Sequence, residues 1–289
     1  MSVRPSPTVR SKRLARELRR LREEAGQTIE QVCSRAGNGW SPSTLARWEV
    51  GDRRIQPADL KSLLGVYQVD DETAEVLLNL SREARQRGWW QAYGDVLPSE
   101  YSTYIGLETE ANVLLSYQQQ LVAGIVQTER YARAVIRAAR PDDDAASIER
   151  RVELRMDRQR VLAGDDPLRP WIILDEGAVR RMVGGPDVMA EQLDWLAEVA
   201  DRPGIHVQVM PYSAGEHAAM ASSFVVLAFN DPDPDVVYID AGTSALFVEE
   251  PAEVGTYRLT FDHLRASALS PIESTRLLRA LAKEMRKAV

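Results

Sequence analysis

Apolar residues recur at helical spacing over the first eighty or so positions, and give way to short β-rich runs beyond residue 170. From Ser11 to Ala25, Leu14, Leu18, Leu21 and Ala25 fall on one stripe, with Lys12, Arg13, Arg16, Arg19 and Arg20 on other faces. This pattern predicts an amphipathic helix ended by Gly26. Thr28 is placed to cap a second helix that turns Ile29, Val32, Cys33 and Ala36 inward. Gly37-Asn38-Gly39 reads as a turn, and Trp40 as a plug for the core. A third helix opens with Ser41 as N-cap and Pro42 at its first position, and closes before Gly51. On it Leu45 and Trp48 share an inward face, while Ser43 and Arg47 share an outward one. Two more helices follow: Pro57–Tyr67 on Leu60, Leu63, Leu64 and Tyr67, and Asp71–Arg85 on Val76, Leu77 and Leu80.

After Gly88-Trp-Trp-Gln-Ala-Tyr-Gly-Asp-Val-Leu-Pro98, dense in aromatics and turn formers, the texture changes. Helical periodicity predicts Tyr104–Gln118, Thr128–Ala139 and Ala145–Leu162. β-rich runs follow at Trp171–Leu174, Ile205–Met210, Phe224–Phe229, Val236–Ile239 and Leu246–Val248, the first two separated by a helix over Pro186–Ala200. The closer spacing of the last three predicts antiparallel neighbours, with turns at Asn230–Asp235 and Ala241–Ser244. Helices over Pro251–Ala268 and Pro271–Lys287 end the chain. The expectation is a multidomain protein: a disordered tail (1–8), an all-α head of about five helices (9–86), an aromatic linker (87–103), and an α+β body (104–289). The body would hold a small mixed or antiparallel sheet with flanking helices.

Composition narrows the class. A 44% hydrophobic and 27% charged chain is ordinary for a globular protein. Its longest apolar run, Phe224–Phe229, is far too short to span a bilayer. The first residues, Met-Ser-Val-Arg-Pro-Ser-Pro-Thr, lack the apolar stretch of a secretory signal, so a cytoplasmic location is expected. One cysteine, Cys33, excludes an internal disulfide and a cysteine-based zinc site. The net charge of −7 is unevenly spread: residues 1–55 carry +6 and the remainder −13. A basic head on an acidic body suggests that only the head meets a polyanion.

Leu18-Arg-Arg-Leu-Arg-Glu-Glu-Ala-Gly26, Ala36-Gly37 and Ser43-Thr-Leu-Ala-Arg-Trp-Glu-Val-Gly51 sit at the spacing of the Xre / Cro-repressor helix-turn-helix domains, which the head resembles. The resemblance implies that Pro42, Ser43 and Arg47 read base edges in the major groove, Arg47 through two hydrogen bonds to guanine. It also implies phosphate contacts from Arg53, Arg54 and the amide that opens the second helix at Thr28. Arg22 and Glu49 match a buried ion pair of that family. Ile29 stands where the family commonly has glutamine, and the turn is two residues longer, with Asn38-Gly39 as the insertion.

From Gly88 onward the chain resembles a domain of unknown function found after Xre-type heads in actinobacterial regulators. The matching stretches are Gly88-Trp-Trp, Tyr104-Ile-Gly-Leu-Glu108, Leu121–Arg133, Arg155–Arg160 and Gly204–Pro211. What the resemblance implies is a repressor or antitoxin-like role beside a small partner protein encoded next door. A selective grip on a double-stranded operator calls for a homodimer. Trp89, Trp90, Tyr93 and Tyr104, with the Val122–Ile125 turn, could line an apolar pocket, which would make the body a small-molecule sensor instead. Enzymatic signals are thin. His206, His217 and His263 lack metal-ligand spacing, Ser213-Ala-Gly-Glu-His217 is proximity in a loop, and Asp231–Asp235 lacks the features of a calcium loop. The reading is therefore a DNA-binding regulator without catalytic residues, metal or cofactor, an enzymatic body being the weaker alternative.

Overall fold

A computed structural model describes residues 9–36, 39–83, 88–230, 234–242 and 244–287. The chain divides into two compact units, Met1–Gln91 and Ala92–Val289. The expected tail, the Gly37-Asn38 part of the lengthened turn and most of the Asp231–Asp235 tip lie outside the described residues.

The first unit packs five helices: α1 (Val9–Glu24), α2 (Ile29–Ala36), α3 (Pro42–Val50), α4 (Pro57–Val66) and α5 (Asp71–Glu83). Their apolar stripes converge on one core built around Leu18, Val32, Leu45, Leu60 and Leu63, all fully enclosed. Trp40 meets Trp48 edge-on at 5.2 Å and donates from Nε1 to Asp59 at 3.2 Å. Two of the expected core residues are elsewhere. Ala25 lies past the end of α1 and is exposed, whereas Ala15 is 3% exposed. The reason is that α1 packs on both α3 and α5, and so buries two adjacent faces. Val76 is 56% exposed, because α5 is anchored through Leu77 and Leu80, and a neighbouring helical position points about 100° away.

The second unit is α+β. After α6 (Ser99–Glu110) come β1 (Val113–Gln118), α7 (Glu129–Ala139), α8 (Ala145–Arg158), β2 (Arg169–Asp175), α9 (Glu176–Arg180) and α10 (Pro186–Ala200). The chain continues through β3 (His206–Met210), β4 (Phe224–Ala228), β5 (Val236–Asp240) and β6 (Ala245–Val248) to α11 (Pro251–Ser267) and α12 (Pro271–Lys287). The six strands form one mixed sheet in the order β3-β2-β1-β4-β5-β6. β1, β2 and β3 run parallel through helical crossovers, while β4, β5 and β6 are antiparallel neighbours. The single helix expected over 104–118 is corrected. The helix stops at Glu110, and Val113–Gln118 is a central strand bonded on both sides. Val-Leu-Leu-Ser-Tyr-Gln satisfies either period, and pairing with β2 and β4 decides it.

Tyr117, Ile173, Val226 and Val237 form one face of the sheet's core, which Phe261 and Leu264 of α11 cover. The outer edge of β3 is sealed at the α11–α12 junction: Leu269 N donates to Val209 O and Val209 N to Ser274 Oγ, both at 2.9 Å. The Leu121–Arg133 stretch proves to be scaffold. Gln127 Nε2 caps Val122 O at 2.7 Å, Val122 N donates to Tyr131 OH, and Thr128 caps α7. A Cβ on Gly124 would lie 3.2 Å from an Arg158 guanidinium nitrogen, so glycine admits that cation.

Candidate nucleic-acid interface

The outward face of α3 is shaped from both ends by local chemistry. Ser41 adopts an extended conformation and its Oγ accepts from Thr44 N at 3.2 Å, with Pro42 at the first helical position. Gly51 closes the helix at φ +82°, a left-handed conformation suited to glycine. Leu45 and Trp48 bury the back of α3, and Pro42, Ser43 and Arg47 are exposed on its front. The Ser43 hydroxyl lies 2.9 Å from Ser41 Oγ and is thus drawn into the cap. Among the described residues the exposed Arg47 has no hydrogen-bond or ion-pair partner for its guanidinium, which carries five donors.

Behind this face Arg22 grips Glu49 with two parallel bonds, Nε–Oε1 at 2.8 Å and Nη2–Oε2 at 2.9 Å. The Glu49 side chain is 4% exposed and Arg22 12%. The pair ties α3 to α1 and fixes how α3 is held. Burial, followed by the charges of Glu30 and Glu49, pushes the Cys33 thiol above its usual range and keeps it protonated.

The three expected phosphate contacts differ in availability. Arg53 is exposed, its backbone N–H donating to Arg47 O at 3.1 Å. Arg54 is half-buried, and its Nε is enclosed without an acceptor among the described residues. The Thr28 amide is already engaged: it donates to Gln31 Oε1 at 2.9 Å, while Gln31 N donates to Thr28 Oγ1 at 3.3 Å. Among the described residues, this reciprocal box leaves the next amides, of Ile29 and Glu30, as the unpaired donors of that helix end.

In the body, the aromatics expected around a pocket are placed in its interior or tied to partners. Tyr104 is 5% exposed and donates to Glu108 Oε2 at 2.6 Å, and Val122 and Ile125 are enclosed. Tyr93 donates to Asp157 at 2.6 Å beneath the Arg150 guanidinium. In the first unit Trp90 is buried and meets half-buried Trp89 edge-on. A concavity of about 510 Å³ lies instead along α10, between Arg130 and Arg286, with Glu191, Asp194 and Trp195 in its wall. No sequence signal marked it, since its residues come from three separate helices.

The histidines go to three different places. His206 stacks on Trp171 at 4.4 Å, and His263 is exposed on α11. His217 is nearly buried against Tyr117 and Asp175. Burial and the Asp175 charge hold the Tyr117 hydroxyl well above its ordinary pKa, so it donates to Asp175 at 3.3 Å and accepts from His217 Nε2 at 3.0 Å. His217 Nδ1 accepts from Ala219 N at 3.3 Å. Both ring nitrogens are therefore engaged, and the cluster pins the loop before β4 to the sheet. Tyr117 and His217 are a hundred residues apart, which no local motif reveals. Among the described residues no group of three His, Cys, Asp or Glu is placed to hold a metal ion, and no helix is long and apolar enough to cross a membrane.

Two family models match the chain: a helix-turn-helix domain over residues 13–77, and a domain of unknown function, DUF5753, over residues 101–280. No curated protein and no solved structure matches it. The second model spans more than half of the chain, which belongs to the DUF5753 family. The first makes the five-helix head a DNA-binding domain of the helix-turn-helix class.

Proposed function

We propose that this DUF5753-family chain is a sequence-specific transcriptional regulator of the Xre / Cro-repressor type, acting as a repressor or antitoxin-like protein in an actinobacterial cytoplasm. Its body dimerises and receives a small protein partner, so that two heads engage the half-sites of a pseudo-palindromic operator. The observation that carries the reading is the front of α3: an exposed, unpartnered Arg47 on a helix capped at both ends and bolted to α1 by Glu49. A genome-wide map of bound sites, made with and without the neighbouring small protein, tests it. Absence of a shared dyad motif would refute the operator, and an unchanged map would refute the partner.

Two results are expected on DNA. Arg47→Ala costs about 1–3 kcal/mol and relaxes preference at one base pair per half-site, because a bidentate contact to guanine is lost. Equal weakening on every sequence in a competition assay would make Arg47 a phosphate contact. Arg53→Ala weakens specific and non-specific binding alike and reduces the slope of log affinity against log salt by about one per head. An unchanged slope would remove Arg53 from the interface.

We read the body as non-catalytic, supported by the engagement of both His217 nitrogens within the fold. One observation favours small-molecule sensing as a second reading. The concavity along α10 is of ligand size, and Nε1 of Trp195, a residue of its wall, is enclosed without an acceptor among the described residues.

A further inference from the structure

The two edges of the six-stranded sheet are treated differently. At β3 the outward main-chain groups of Val209 are spent on Leu269 and Ser274. At β6 no strand, helix or loop of the described residues bonds the outer side. Ala241 N donates to Ser244 O across the β5–β6 turn at 3.0 Å. By ladder alternation, Leu246 and Val248 then bond β5, while the N–H and C=O groups of Ala245 and Phe247 point away from the sheet. Apart from its short length, the strand has no guard of its own against pairing: Ala-Leu-Phe-Val has no lysine, proline or charge, and Leu246 is 55% exposed.

We propose that β6 is the dimer interface, pairing antiparallel with β6 of a second copy about a two-fold axis through Leu246. The proposal rests on the dimeric reading above and names its surface. A second copy suits this edge for two reasons. The free donors and acceptors of Ala245 and Phe247 match when one strand is reversed, with Ala245 of each copy opposite Phe247 of the other and the two Leu246 residues facing each other between them. The flanking carboxylates do not oppose the pairing either. The two Glu249 residues would stand six strand positions apart, about 20 Å, beyond the ~8 Å screening length at physiological salt. The product is a continuous sheet with a two-fold axis, the symmetry that a palindromic operator requires.

The test is light scattering on the full-length chain at micromolar concentration. The native chain is expected to be a dimer. Leu246→Lys, which sets two cations opposite each other at the axis, and Ala245→Pro, which removes an outward donor but no β5 bond, are each expected to raise the dimer dissociation constant by at least about tenfold. Slow hydrogen exchange of the Ala245 and Phe247 amides, lost on dilution, is the matching sign in the native chain and does not depend on how a variant folds. A native dimer that both variants leave intact, with these amides unprotected, overturns the β6 interface and leaves dimerisation standing. A native monomer overturns both.

Discussion

Replacing Glu108 with alanine is expected to destabilise the body by about 3–5 kcal/mol, since it strands the buried Arg158 charge. Arg158 is 4% exposed and Glu108 1%, and the two are joined by Nε–Oε1 and Nη2–Oε2 bonds of 2.9 and 2.7 Å. Tyr104 donates to the same carboxylate, and the guanidinium lies 5.3 Å from the rings of both Tyr101 and Tyr104. Glu108 thus closes a network that contains a desolvated cation, and nothing on α6 can take its place. Replacing both charges together, as Glu108→Leu with Arg158→Met, removes the stranded ion and is expected to cost less than Glu108→Ala alone. Urea unfolding with hydrogen exchange of the β1 and β2 amides as the readout measures both. A loss below about 1 kcal/mol for Glu108→Ala would mean that water reaches Arg158 and that the pair is not a keystone.

The second large effect is expected in the head. Glu49→Ala should cost about 3 kcal/mol, the lower end of the range for a broken buried pair, because Arg22 keeps some contact with water. For a unit this small that is a large share of its stability. Glu49 lies one turn beyond Leu45 on the packed side of α3 and cannot touch a base, so affinity should fall on every DNA sequence while the ranking of bases stays as it was. Arg47→Ala makes the opposite prediction, a changed ranking in a folded head. A base-substitution panel read with a thermal melt separates the two. A Glu49→Ala protein of native stability with altered base preference would refute the structural role.

The parts of the molecule that were legible in sequence are those decided within one turn or one hairpin. The ends of α3 follow from Ser41, Pro42 and Gly51, whose side chains and backbone preferences act on their immediate neighbours. β4, β5 and β6 were legible because antiparallel partners joined by short turns announce each other. β1 was misread as helix, since its partners β2 and β4 are brought in by crossovers of fifty residues or more. On the front of α3, the exposure of Arg47 was foreseeable from helical phase. The engagement of the Thr28 amide by Gln31 and the enclosure of Arg54 Nε were not, because each depends on where a side chain settles after the helices pack.

Periodicity, caps and charge by themselves determined a basic helical head whose third helix has a polar outward face, and an α+β body after it in the chain. Tertiary structure alone decided what the body's conspicuous residues do. It put Tyr104 and Glu108 around a buried arginine, turned Leu121–Arg133 into a hydrogen-bonded brace, and set His217 on Tyr117. It also sealed the β3 edge while leaving β6 open. The physical reason is common to all four. Desolvation and main-chain satisfaction depend on which distant segments come together, and the short-range preferences of the chain do not encode that.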